Sequence, residues 1–296
     1  MLVYVNGRLV PAKEAVISVF DHGFLYGDGV YEALRVYDGV IFMLDEHLIR
    51  LYRSASMIGL SIPPDKDSLK NSIYETLIAN TLKNAFVRLN ISRGRGPVGL
   101  DPELCPKPTI VIIAEEMKDW PRSFYEKGIS IIISETKRNL REAINPQIKS
   151  LNFLNNILAK IEAKKRGAYE AVMLNVQGKL AEGSTTNIFF SKNGVLCTPS
   201  LECGILDGIT RKMVISLALR EGIKVIEGEF TQEDLYSAVE VFVTSTTLEV
   251  MSVSKVDEHL YPVGNITKLL HRIYKDEVHA YVTNVKAKGP SLWGYE

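Results

Sequence analysis

Two dipeptides near the start constrain this chain more than any other feature: Asn6-Gly7 inside LVYVNGRLV, and Asp38-Gly39 inside VYEALRVYDGVIFML. Asn, Asp and Gly accept the positive φ that a two-residue reversal demands, so each stretch reads as a β-hairpin, over Leu2 to Val10 and over Val30 to Leu44. The pattern that follows mixes strands and helices without strict alternation, so the expected class is α+β.

After the second hairpin, Asp45 is the expected cap of a helix whose stripe is Leu48, Leu51, Tyr52 and Ala55, closed by Gly59. Ser68 to Leu82 reads as a second helix, and Ala85 to Ser92 and Thr109 to Ala114 as strands flanking the loop RGRGPVGLDPELCPKP. The segment EEMKDWPRSF breaks the periodicity with charge and Pro121. It divides the chain into an expected small α/β domain over 1–118, a linker over 119–124 and a larger domain over 125–296.

In the larger part, Ile129 to Glu135 reads as a strand. A helix then carries Leu151, Leu154, Leu158 and Ile161 on one face, with Gly167 past its end. Strands are expected over Glu170 to Asn175 and Ala181 to Phe190. Asp207-Gly-Ile-Thr210 opens a helix closed by Gly222, Thr231 caps a short one, Val239 to Thr244 is a strand, and Ile266 to Val282 is the last helix.

Composition narrows the partners. Across 296 residues, Lys+Arg 35 balance Asp+Glu 35, which gives no footprint for nucleic acid or for an anionic membrane surface. The loop SRGRGPVG lacks the GKS or GKT ending of a nucleotide-binding loop. Cys105, Cys197 and Cys203 are odd in number and form no CxxC pair, which argues against a disulfide framework and against structural zinc and fits a reducing cytoplasm. The first residues alternate like a strand rather than a signal core. No run approaches the roughly 18 apolar residues of a membrane span.

The residue that asks for an explanation is Lys149, in NPQIKSLNFLNN, set between a turn and the apolar face of a helix. Most lysines are solvated. A lysine that forms a Schiff base must instead lose its proton near neutral pH, which partial desolvation favours. Position alone does not choose between the two. The rest of the second half adds Glu182 in LAEGSTTNIFF, a carboxylate able to keep a pyridine nitrogen protonated. It also adds DGIT at a helix start, where open N–H groups and the helix dipole favour an anion. Lysine, acid and phosphate cradle are what pyridoxal phosphate needs.

The stretches FDHGFLYGDGVYEALR, HLIRLYRSA, RGPVGLDP, IKSLNFLNNILAKIEA, EGSTTNIF, GILDGITR and VTSTTLEV, in this order along nearly the whole chain, resemble the class IV aminotransferases. This pyridoxal-phosphate family contains branched-chain amino-acid aminotransferases, D-amino-acid aminotransferases and aminodeoxychorismate lyase. The resemblance implies the two-domain fold of D-amino-acid aminotransferase, with a large cofactor-binding C-terminal domain, and at least a homodimer. It implies Lys149 as the Schiff-base lysine and proton shuttle, and Glu182 as the carboxylate on the ring nitrogen. Arg50, Ile209, Thr210 and Thr246 are implied for the phosphate, and Leu206 for packing on the ring. Thr246 and Thr247 are implied for the substrate carboxylate, and Tyr26, Tyr31, Arg35 and Arg88 for the substrate pocket.

Two positions depart from the branched-chain pattern. Phe153 stands where a tyrosine hydroxyl usually meets the cofactor, and Phe86 where a tyrosine usually helps hold the substrate. The D-specific Arg-x-His triplet is missing from RGRGPVGLDP, which favours the branched-chain reading over the D-amino-acid one. The lyase remains open, since it needs the same lysine and cofactor. The expected reaction is ping-pong transfer from a branched-chain L-amino acid to 2-oxoglutarate, with Arg88 meeting the distal carboxylate of glutamate.

Overall fold

Asn6 and Gly7 carry φ of 48° and 89°, and they close strands β1 (Leu2–Val5) and β2 (Arg8–Pro11) into the first expected hairpin. The second hairpin closes at Asp38 and Gly39, with φ of 46° and 81°, between β3 (Gly29–Tyr37) and β4 (Val40–Ile41). The computed structural model describes residues 1–288, so the end of the expected C-terminal domain, 289–296, lies outside the described residues. The chain divides into two units. One holds Met1–Lys118, Ile148–Phe153 and residues 278–288. The other holds Asp119–Gln147 and Leu154–Glu277.

In the first unit, β5 (Ala85–Ser92) and β6 (Thr109–Glu116) complete an antiparallel sheet of order β2-β1-β6-β5-β3-β4. Strand period 2 separates its faces. Val87, Leu89 and Ile91 join Val30, Leu34 and Val36 in the core, while Phe86, Arg88 and Asn90 point the other way, half-buried. Against the core face lie α2 (Leu44–Met57), through Leu48, Leu51 and Ala55, and α3 (Lys66–Ala79), through Leu69, Ile73 and Leu77. Each of these buried leucine, isoleucine and valine side chains contributes roughly 1.5–3 kcal/mol. A short α1 (His22–Tyr26) precedes β3, capped by Asp21, whose Oδ1 accepts from Gly23 N at 2.8 Å.

Asp45 does not cap α2. The helix starts two residues earlier, behind Met43, and Asp45 sits in its first turn, paired with Lys70 at 2.5 Å. Its charge still favours the N-terminus, through the dipole rather than a cap bond.

The second unit is built on a mixed sheet of β7 (Ile129–Ile133), β8 (Glu170–Leu174), β9 (Leu180–Gly183), β10 (Asn187–Lys192), β11 (Val195–Pro199), β12 (Val225–Gly228), β13 (Glu240–Ser245) and β14 (Glu249–Val256), with β15 (His259–Leu260) on β14. The β7–β8, β7–β14 and β11–β12 pairs are parallel. The single strand expected over Ala181 to Phe190 is split into β9 and β10, because Ser184, Thr185 and Thr186 turn to bond the fully buried Glu170. The helices are α4 (Arg122–Lys127), α5 (Leu154–Lys165), α6 (Ile209–Arg220) and α7 (Gln232–Tyr236), and α8 (Asn265–Lys288) belongs to this unit up to Glu277 and to the first from Val278. Trp120 and Phe124, in the segment read as a linker, stack at 5.9 Å and pack on the core of this unit.

The apolar face read for α5 is exposed: Leu154 by 64%, Leu158 by 46% and Ile161 by 44%. The helix packs instead through Ala159 and Ala163 against Ile132, Ala171 and Met173. Small residues let it lie close to β8, and the large ones face outward. No described helix is long and apolar enough to cross a membrane, and no group of three or more His, Cys, Asp and Glu among the described residues is placed to hold a metal.

Candidate active site

In the first unit, the lysine-bearing stretch runs alongside β3. Tyr31 N donates to Lys149 O at 2.9 Å, Leu151 N donates to Gly29 O at 2.9 Å, and Val30 and Ser150 form an antiparallel bridge. From α2, the Ser54 hydroxyl accepts the Lys149 backbone N–H at 3.1 Å. Lys149 is thus fixed by its backbone on both sides, half-buried, with Nζ 4.4 Å from the centre of the Tyr31 ring. The Arg88 guanidinium lies 4.2 Å from the same ring, and Phe153 meets Tyr31 edge to face at 5.1 Å. Each cation–π contact of this kind is worth roughly 0.5–2 kcal/mol.

The register explains the grouping. Tyr31 pairs with Asn90, Ala33 with Arg88 and Arg35 with Phe86, so β3 and β5 present these side chains on the face opposite the core. Arg88 Nε donates to Asn90 Oδ1 at 2.9 Å. Arg35 lies over the Tyr37 ring at 5.0 Å. The Tyr26 hydroxyl accepts from Gly99 N at 3.1 Å in the RGPVGLDP loop.

Arg50 lies on the other face of β3. Its Nε donates to Glu32 Oε1 at 2.7 Å and its Nη2 to Glu32 Oε2 at 2.8 Å, while His47 Nδ1 is 2.7 Å from the same Oε2. All three side chains are buried. Burial alone would raise the Glu32 pKa, but the charges and hydrogen bonds of Arg50 and His47 outweigh it and hold the carboxyl far below the usual range. Burial lowers the His47 pKa, Glu32 opposes that shift, and the Arg50 and Lys149 charges add to it. His47, Arg50 and Ser54 follow one another at i, i+3 and i+7, a buried polar edge beside the apolar stripe of α2.

In the second unit, Glu182 at the end of β9 is 5% exposed and held by four donors. Arg138 Nε and Nη2 both reach Oε1 at 2.9 Å, Asn187 Nδ2 reaches Oε2 at 3.1 Å, and Leu206 N reaches Oε2 at 2.9 Å. Asn187 also donates to Leu206 O at 3.1 Å, which joins Glu182 and Leu206 into one cluster. Gly208 lies against the same asparagine, since a Cβ there would run into its side-chain oxygen. No side chain caps α6 at Gly208, and Ile209 and Thr210, both buried, form its first turn. Asn187 pairs with Thr244 across the sheet, and two residues further on Thr246 and Thr247 form the loop to β14. Trp120 Nε1 donates to Thr247 O at 2.9 Å.

Sequence reasoning missed Glu32, His47, Ser54, Arg138 and Asn187. Glu32, His47, Ser54 and Asn187 stood inside FDHGFLYGDGVYEALR, HLIRLYRSA and EGSTTNIF, and Glu32, His47 and Ser54 are polar at positions where strand or helical periodicity calls for burial, whereas Arg138 lies in a loop with no such signal.

The chain matches the amino-transferase class IV family over residues 29–256. It is 47% identical over 279 residues to a Methanocaldococcus jannaschii protein provisionally named a branched-chain-amino-acid aminotransferase, covering 93% of this chain and 96% of that one. It is 35% identical over 296 residues to the aminodeoxychorismate lyase of Bacillus subtilis (strain 168), covering 99% of each. Among solved structures it resembles the branched-chain aminotransferase of the thermophilic archaeon Thermoproteus uzoniensis with norvaline, with TM-score 0.89, 35% identity, and 95% of each chain covered. The chain belongs to the class IV aminotransferases and has their mixed α and β fold.

Proposed function

We propose that this aminotransferase uses pyridoxal phosphate to move the amino group of leucine, isoleucine or valine to 2-oxoglutarate by a ping-pong mechanism. The observation that carries the reading is the Tyr31–Phe153 pair, an aromatic wall beside both the Lys149 amine and the Arg88 guanidinium. The wall suits an aliphatic chain. The guanidinium suits the second carboxylate of glutamate. The similarity to two proteins bearing the branched-chain name supports the same assignment.

The residues fit the cofactor. The uncapped start of α6 and the bare Gly208 backbone suit a phosphate, as does the buried Arg50 cation. Glu182 offers a fixed negative charge for a cationic ring nitrogen, and Leu206, tied to it through Asn187, suits packing on the ring. When bound, pyridoxal phosphate supplies the aldehyde that takes up the amino group and a ring that withdraws electrons from the substrate Cα.

The chain's own residues do the rest. Lys149 Nζ would hold the cofactor and, as a free amine, would take the proton from the substrate Cα. The Lys149 backbone is pinned by Tyr31 and Ser54, so only the side chain has to move in this step. Thr246 and Thr247, at the loop after β13, receive the substrate carboxylate, and Tyr26, Tyr31, Arg35 and Phe86 shape its pocket.

The protein works as a homodimer or a higher homo-oligomer. Leu154, Ile157, Leu158 and Ile161 make an exposed apolar row on α5 at i, i+3, i+4 and i+7, which a second copy would cover. Free thiols at Cys105, Cys197 and Cys203 support a cytoplasmic location.

The test is a panel of L- and D-amino donors with 2-oxoglutarate, read by formation of glutamate and the 2-oxo acid. Turnover with L-leucine, L-isoleucine and L-valine supports the reading. Turnover confined to D-donors, or pyruvate release from aminodeoxychorismate without transamination, replaces it.

A further inference from the structure

The buried Glu32 has no place in the chemistry just described, yet it is fully inaccessible and carries two bonds from Arg50 and one from His47. A buried ion pair is poor evidence for a stability device, because well-packed apolar residues of similar volume serve as well or better. Its geometry, however, does something apolar packing cannot. A guanidinium has a planar fork of donors, and a carboxylate that takes Nε and Nη2 together fixes the plane and rotation of the whole group.

Arg50 sits on α2, and Glu32 reaches it from β3 on the core side of the sheet. Because the carboxylate holds the Nε–Nη2 edge, the direction of Nη1 follows from the position of Glu32. His47 then fixes the carboxylate from the preceding turn of α2, so that the acid cannot rotate away from the fork. The same polar edge of the helix ends at Ser54, which holds the backbone of Lys149. One helix edge therefore sets both the arginine and the lysine-bearing strand.

We propose that Glu32, steadied by His47, is a positioning residue that aims the Arg50 guanidinium at the cofactor phosphate. This rests on the reading of Arg50 as a phosphate ligand. Glu32 never touches the cofactor. It raises phosphate affinity by removing the rotational freedom that Arg50 would otherwise lose on binding.

The test compares pyridoxal phosphate with pyridoxal, which lacks the phosphate, in absorbance titrations of apo-protein, with the 31P resonance of bound cofactor as a second readout. Glu32→Gln keeps the shape but turns an amide N–H toward a guanidinium donor. It should weaken pyridoxal phosphate about tenfold or more, shift and broaden the 31P line, and leave pyridoxal affinity within about twofold. Arg50→Ala should weaken pyridoxal phosphate as well, and adding Glu32→Gln to it should change little further, since the acid acts through the arginine. If Arg50→Ala weakens binding and Glu32→Gln does not, the positioning role is overturned. If Arg50→Ala binds pyridoxal phosphate like wild type, the phosphate reading itself fails. Equal losses for pyridoxal and its phosphate in Glu32→Gln would mean a general disturbance and would also overturn the proposal. Should Glu32→Gln not fold, Arg50→Lys keeps the charge without the fork. It should lose phosphate selectivity in the same way, and undiminished selectivity would overturn the role of orientation.

Discussion

Arg138 meets Glu182 with Nε and Nη2 on the same carboxylate oxygen, each at 2.9 Å, leaving Oε2 to Asn187 and to the Leu206 amide. Four donors around one buried acid keep its charge in place at low cost, because each bond replaces one lost from water.

Glu182→Gln removes that charge and forces an amide N–H against at least one donor. The expected outcome is a protein that retains cofactor but turns over about a hundredfold more slowly, equivalent to about 3 kcal/mol in the transition state. Arg138→Met should instead lower stability, by roughly 3–5 kcal/mol, since it leaves the buried acid without its cationic partner. Steady-state kinetics and denaturant titration of the two variants distinguish these effects, and near-normal turnover in Glu182→Gln would remove it from the mechanism.

Lys149 should be the only residue labelled when the holoenzyme is reduced with borohydride and mapped by peptide mass. Label on any other lysine would contradict the assignment of the Schiff base.

His47 gives the stability a pH dependence of definite sign. Burial pushes its pKa below the ordinary 6.5, against the pull of Glu32. With the folded value below the unfolded one, the unfolded chain takes up a proton first as the pH falls. This contribution is therefore intact above about pH 6.5 and lost below it, at up to about 1.4 kcal/mol per pH unit until the folded pKa is reached. Glu32 acts with the same sign, in a much more acidic range. Urea unfolding from pH 8 to pH 5 should lose stability less steeply in His47→Gln than in the wild type. Parallel curves would show that His47 does not carry the effect.

Arg88→Ala separates two roles of one cation. If Arg88 meets the distal carboxylate of glutamate, kcat/KM should fall far more for glutamate and 2-oxoglutarate than for leucine, by about tenfold or more, because only the dicarboxylic substrates lose a charge-assisted bond. Equal losses for leucine and glutamate would move the role to the common carboxylate, with Arg35 next in line for the distal one.

Much of the first unit was legible because its signals are local. Asn6-Gly7 and Asp38-Gly39 encode their turns, and the alternation Val87, Leu89, Ile91 against Phe86, Arg88, Asn90 encodes which face of β5 is core. Helix α5 was legible as a helix but not in its orientation. Period 3.6 identifies an apolar stripe without saying what covers it, and here Ala159 and Ala163 do the packing. The partners of Glu32 and Arg138 were not legible. They lie 18 and 44 residues away in sequence, and no local pattern encodes such a pairing.

The hexapeptide Ile148–Phe153 belongs to the first unit, while its neighbours on both sides belong to the second. A gene fragment that stopped at Lys118 would therefore leave Tyr31 N, Gly29 O and the Ser54 hydroxyl without the strand that satisfies them. Chimeras between relatives made by a single crossover in that region would inherit the lysine strand from one parent and its backbone partners from the other. Recombination that respects this interleaving has to transplant the hexapeptide together with β3 and α2, as one hereditary block that the linear order of the gene keeps apart.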